Sequence, residues 1–79
     1  MGGKCVEIYQ LRQFAAVAKT ENMTRAAQSL SMAQPAVSKT IRNLESELGA
    51  ELFERTGKGL RRTEQGDILL RYARAILNA

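Results

Sequence analysis

The stretch NMTRAAQSLSMAQPAVSKTIRNLESELG, residues 22–49, reads as two helices and the turn between them. Asn22 suits the start of the first, because its side chain accepts from the orphan N–H groups of an opening turn. That helix runs roughly from Met23 to Leu30 and buries Ala26, Ala27 and Leu30. Ser31-Met32-Ala33 leaves only a tight connection. Pro35 then marks a new start near Gln34, since a first-turn proline gives up no N–H partner. Val37, Ile41, Leu44 and Leu48 form one narrow apolar stripe, and Gly49 stops the helix. A short helix, a three-residue turn and a proline-opened helix make a helix-turn-helix.

The flanks complete the pattern. From Glu7 to about Lys19, Ile8, Leu11, Ala15 and Ala18 recur at helical spacing with Phe14 and Val17 beside them. After Gly49 the helical period fails. Leu52-Phe53-Glu54-Arg55 and Leu60-Arg61-Arg62-Thr63 flank Thr56-Gly57-Lys58-Gly59, which predicts a small β-hairpin. Thr63 caps a fourth helix from Glu64 to the end. The fold class is therefore mainly α: a winged helix-turn-helix, with a three-helix core and a short β-hairpin wing, followed by a C-terminal linker helix. The expected division is a flexible lead-in over 1–6, a winged helix-turn-helix over 7–63 and a linker or dimerisation helix over 64–79.

Composition narrows the chemistry. Seventy-nine residues make room for one small domain. A lone cysteine, Cys5, forms no internal disulfide, and with no histidine the chain has no plausible metal cluster. No glycine fingerprint for phosphate occurs, so neither an enzyme nor a cofactor is expected. Tyr9 and Tyr72 read as packing residues. No apolar run nears the ~20 residues of a membrane span, and residues 1–6 lack the apolar centre of a signal peptide; the cytoplasm is the expected location. The net charge of +4 is a weak pointer to nucleic acid. Its distribution says more: Arg55, Lys58, Arg61 and Arg62 fall together with no acid among them, after Glu45, Glu47, Glu51 and Glu54.

In a DNA-binding helix-turn-helix the second helix enters the major groove and its N-terminal residues meet base edges. At ~100° per residue, Ser38, Arg42, Pro35 and Lys39 lie opposite the buried stripe, with Gln34 at the leading end. Gln suits adenine, Ser is a flexible donor and acceptor, and Lys and Arg favour guanine or phosphate. Such a face is also what simple solvation requires; beside the turn and the hairpin it reads as groove-facing. Lys58, between Gly57 and Gly59, sits at the tip of a wing suited to a narrow minor groove. Arg55 and Arg62 are candidate phosphate contacts, with an ion pair to Glu51 or Glu54 the rival reading for Arg55. Thr24 and Arg25, at a helix N-terminus, suit the DNA backbone. The alternative function is a winged-helix protein–protein interaction module without DNA binding; the polar face of the third helix lacks the apolar anchors it needs.

Ile68, Leu69, Leu70, Tyr72, Ala73, Ile76 and Leu77 cover half or more of the fourth helix. A small core needs only ~100°. The excess predicts a homodimer contact through Ile68, Leu69, Tyr72, Ala73 and Ile76, unless the helix simply covers its own domain's core.

Leu11-Arg12-Gln13-Phe14-Ala15-Ala16-Val17-Ala18, Met23-Thr24-Arg25-Ala26-Ala27 and Ala33-Gln34-Pro35-Ala36-Val37-Ser38-Lys39 resemble the N-terminal domain of LysR-type transcriptional regulators. Leu44-Glu45-Ser46-Glu47-Leu48-Gly49, Leu52-Phe53-Glu54-Arg55 and Thr63-Glu64-Gln65-Gly66 do the same. The resemblance covers about residues 7–79. It implies a bacterial regulator that binds operator DNA, dimerises through a long linker helix, and carries its small-molecule effector site in a separate C-terminal domain that this chain lacks. By that analogy Gln34, Pro35, Ser38, Lys39 and Arg42 face the groove, with Lys58 on the wing. Lys39 and Lys58 stand where many members have Arg, trading a planar fork for a point charge. Ala33 stands where a capping Ser is frequent, and the turn has no glycine.

Overall fold

Each helix begins at a capping side chain or, for α3, at a first-turn proline. The computed structural model describes residues 6–78, and in order they form α1 (Ile8–Thr20), α2 (Met23–Leu30), α3 (Gln34–Leu48), β1 (Phe53–Thr56), β2 (Gly59–Arg62) and α4 (Glu64–Leu77). The expected lead-in, Cys5 included, lies outside the described residues except for Val6, which packs on the core. Asn22 Oδ1 accepts from the Arg25 N–H at 2.9 Å, and Thr63 Oγ1 from the Gly66 N–H at 3.0 Å, as the sequence predicts. Ahead of α1, the Glu7 N–H donates to Gln10 Oε1 at 2.8 Å. No side chain caps α3; Pro35 in its first turn removes one orphan donor instead.

The turn between α2 and α3 dispenses with glycine because Ser31 itself takes the left-handed conformation, with φ 56°. Its N–H donates to the Gln28 carbonyl (3.1 Å) and that of Met32 to Ala27 (2.9 Å), closing a Schellman motif. Gly49 ends α3 in the same conformation, as expected.

The core draws Leu11, Phe14, Val17 and Ala18 from α1, Ala26 and Ala27 from α2, and Val37, Ile41 and Leu44 from α3. Leu52 and Phe53 enter it from the base of the hairpin, and Leu70 and Ala73 from α4. Phe14 and Phe53 meet as a tilted pair, ring centroids 5.5 Å apart, an arrangement that adds about 0.5–1.5 kcal/mol beyond area burial. Four expected core positions differ, among them Ala15, half-buried in the middle of α1. Ile8 and Leu48 are exposed and Leu30 is only half-buried, since they lie in first or last helical turns at the edge of the core.

The strands pair antiparallel, Phe53 with Arg62, Arg55 with Leu60 and Thr56 with Gly59. The connection is Gly57-Lys58 alone, shorter than the expected loop over 56–59. A carboxylate sets the hairpin's base: Glu45 Oε2 accepts from the N–H groups of Leu52 (2.8 Å) and Phe53 (3.4 Å). Gly66 lets α4 lie flush on this base, because a Cβ there would penetrate the Leu52 carbonyl oxygen.

Candidate nucleic-acid interface

Three pieces of chain supply the polar surface that the sequence reading singled out. The first is the outer face of α3, where Gln34, Pro35, Lys39 and Arg42 are exposed. Ser38 is half-buried, lying between this face and the apolar stripe. The second is the opening turn of α2, with Thr24 and Arg25 both exposed. Asn22 occupies one donor there, and the other N–H groups of an opening turn have no partner within the helix. The third is the hairpin.

The leading ends of these pieces meet at one cleft. Asn22, Thr24, Gln34 and Arg55 line a depression of about 220 Å³ between α2, the start of α3 and the wing, together with the Glu21 carboxylate and Leu60. Strand alternation explains why Arg55 reaches it. Phe53, Arg55, Leu60 and Arg62 share the inner face of the hairpin, and of the two arginines Arg55 is nearer the tip. The rival reading for Arg55 fails: among the described residues the ion pair present is Arg62 with Asp67, so neither Glu51 nor Glu54 holds the Arg55 guanidinium.

Lys58 sits exposed at the wing tip, and space around Gly57 and Gly59 is open. Thr56 orders that tip: its hydroxyl donates to the Gly59 carbonyl at 3.1 Å and accepts from the Lys58 N–H at 3.1 Å. Gly59 has φ 121°, which suits glycine alone.

Arg62 is placed differently from the expectation. It lies at the hairpin base, half-buried, and its guanidinium is taken up by Asp67 Oδ1 (2.7 Å) and the Ala18 carbonyl (2.6 Å). It is thus bound within the fold rather than presented as a phosphate contact. Ala73 also departs from its expected role: it is fully buried in the domain's own core, which α4 completes against α1. Ile68, Tyr72 and Ile76 are exposed and Leu69 half-buried. With Leu48 and Ala50, three of these four (Ile68, Leu69 and Tyr72) line an apolar groove of about 260 Å³.

Sequence reasoning missed two contributors, the Glu45 carboxylate under the hairpin and the Glu21 carboxylate, which accepts from the Arg62 N–H at 3.2 Å. Both bonds span segments whose approach no local periodicity encodes.

A helix-turn-helix with a hairpin wing and an exposed polar α3 is a winged helix-turn-helix domain. The chain belongs to the bacterial regulatory helix-turn-helix proteins of the lysR family, whose pattern it matches over residues 8–67. It is 51% identical over 71 residues to a RuBisCO operon transcriptional regulator of Allochromatium vinosum, covering 90% of this chain and 24% of that protein. The chain thus spans about a quarter of that relative's length. Its fold superposes on the BenM DBD in a complex with benA site 1 DNA, with TM-score 0.87 and 40% identity, covering 92% of this chain and 85% of the other. The CbnR DBD–DNA complex is equally similar, with TM-score 0.87 and 40% identity over 92% and 84% of the two chains. The family is one of regulators, not enzymes.

Proposed function

We propose that this chain binds double-stranded DNA sequence-specifically, as the DNA-binding part of a cytoplasmic bacterial transcriptional regulator. The observation that carries the reading is the meeting of Gln34 at the start of α3, Asn22 and Thr24 at the start of α2, and Arg55 of the wing on one cleft, beside the exposed Lys39 and Arg42 of α3. The α3 N-terminus enters the major groove, where Gln34, Ser38 and Lys39 meet base edges. Arg42, Thr24, Arg25 and Arg55 contact phosphates, and Pro35 packs against the groove wall. Lys58 carries the wing to the minor groove. Two copies joined through Ile68, Leu69, Tyr72 and Ile76 of α4 read paired half-sites of an operator.

The test is anisotropy of a labelled duplex across salt concentrations. Four cationic contacts, from Arg25, Arg42, Arg55 and Lys58, predict that log K falls against log[salt] with a slope of about −3.6. A folded chain that binds no duplex at low salt refutes the proposal.

A further inference from the structure

Arg62 ties three elements together at the base of the wing. Its own N–H donates to Glu21 Oε2 (3.2 Å), just past α1; its Nη1 donates to the Ala18 carbonyl (2.6 Å) in the last turn of α1; its Nε donates to Asp67 Oδ1 (2.7 Å) in the first turn of α4. The Ala18 carbonyl is a helix-end acceptor with no helical partner of its own. The planar guanidinium fork serves two acceptors in different directions at once, which an ammonium does less well.

Above this tie the hairpin is weakly held. Residues 54–59 are all exposed and Leu60 is only half-buried. A two-stranded ribbon is marginal by itself, so its angle is set at its base. Lys58 lies four positions before Arg62 in the chain. At ~3.4 Å per residue that is a lever of about 13 Å, and a tilt of about 15° displaces the tip by about 3 Å, a whole hydrogen-bond length.

We infer that Arg62 is a positioning residue: through Asp67 and the Ala18 carbonyl it fixes the angle at which the wing delivers Lys58 and Arg55 to DNA, and it makes that angle depend on α4. This rests on the DNA-binding reading above.

The test is a set of double-mutant cycles read by duplex affinity at fixed salt. Arg62→Met removes the fork and keeps the stem. Asp67→Asn removes the ion pair, leaving only a neutral amide acceptor for the Arg62 Nε–H, and leaves the Arg62 charge. Glu64→Gln removes an equal charge from the same helical turn, and Glu64 makes no bond to Arg62. Relative to Glu64→Gln, Asp67→Asn is expected to weaken binding. In the Asp67→Asn and Arg62→Met backgrounds, Lys58→Ala should cost less than in the parent by about threefold or more, while the cost of Arg42→Ala on α3 stays constant.

If Asp67→Asn instead tightens binding while Arg62→Met weakens it, Arg62 is a phosphate contact freed by loss of its partner, and the positioning role is overturned. Equal costs of Lys58→Ala in every background overturn it too. Should Arg62→Met lose its helical circular dichroism, Asp67→Asn decides alone, since it keeps the Ala18 and Glu21 bonds. A parent chain that binds no duplex fails earlier, and overturns the DNA-binding reading together with this one.

Discussion

Gln34 and Lys58 test two different jobs that side chains do on DNA. Gln34 stands exposed at the leading end of α3; on the proposed reading its amide meets a base edge in two hydrogen bonds. Lys58 stands alone at the wing tip as a point charge. Gln34→Ala should therefore cost about 1–3 kcal/mol on a preferred site selected from a randomised duplex pool, and little on a scrambled duplex. Lys58→Ala should weaken both duplexes alike and make the salt slope shallower by about one unit. Competition titrations with the two duplexes separate the patterns; a uniform loss for Gln34→Ala moves that residue to the phosphate contacts. At this scale the sequence was informative about type and less so about direction. The spacing of α3 placed Gln34, Pro35, Lys39 and Arg42 outward. It put Arg62 with Arg55 because both are basic residues of one hairpin. Asp67, five residues on and across a chain reversal, is what draws Arg62 inward.

The elements of this fold are held at their ends, and Gly66 shows how tightly. In the interior of an exposed helix, glycine to alanine stabilises by about 1 kcal/mol. Here the added methyl meets the backbone carbonyl of Leu52, which also accepts from the Thr63 N–H at 3.0 Å and has little freedom to move. Gly66→Ala should reverse the usual sign and destabilise by about 1–3 kcal/mol. For a domain of this size that lowers Tm by about 4–8 °C per kcal/mol in thermal unfolding; a raised Tm would mean that α4 does not rest on the hairpin base. Helix starts were legible because Asn22, Pro35 and Thr63 carry their chemistry locally. The α2–α3 turn was legible as a turn, but not its mechanism, because Ser31 adopts a conformation usually left to glycine. The seating of the hairpin was not legible. It depends on Glu45 reaching seven and eight residues along the chain, a bond between elements rather than within one.

Across the whole molecule the question is how the apolar surface of α4 divides between one chain and two. Leu70 and Ala73 are consumed by the domain's own core. Ile68, Tyr72 and Ile76, four residues apart, form an exposed stripe that runs beside Leu48 and Ala50. Apolar composition alone does not separate the two sets, which is why it assigned Ala73 to the expected dimer contact although Ala73 lies in the domain's own core. The two sets should respond differently to substitution. Ile68→Asp and Tyr72→Asp should leave helical circular dichroism and Tm nearly unchanged, shift sedimentation equilibrium toward monomer, and abolish cooperative binding to a duplex with two half-sites while sparing binding to one. Ala73→Asp should unfold the domain, because it buries an unpaired charge. The helix is 14 residues long, about 21 Å, so the stripe is short for a stable interface, which buries about 1,600 Å² in total. Dimerisation of this chain should accordingly be weak and concentration-dependent, and stronger when adjacent half-sites hold two copies side by side. Ile68→Asp and Tyr72→Asp proteins that sediment and bind paired half-sites like the parent would remove α4 from the dimer and leave its stripe without a partner.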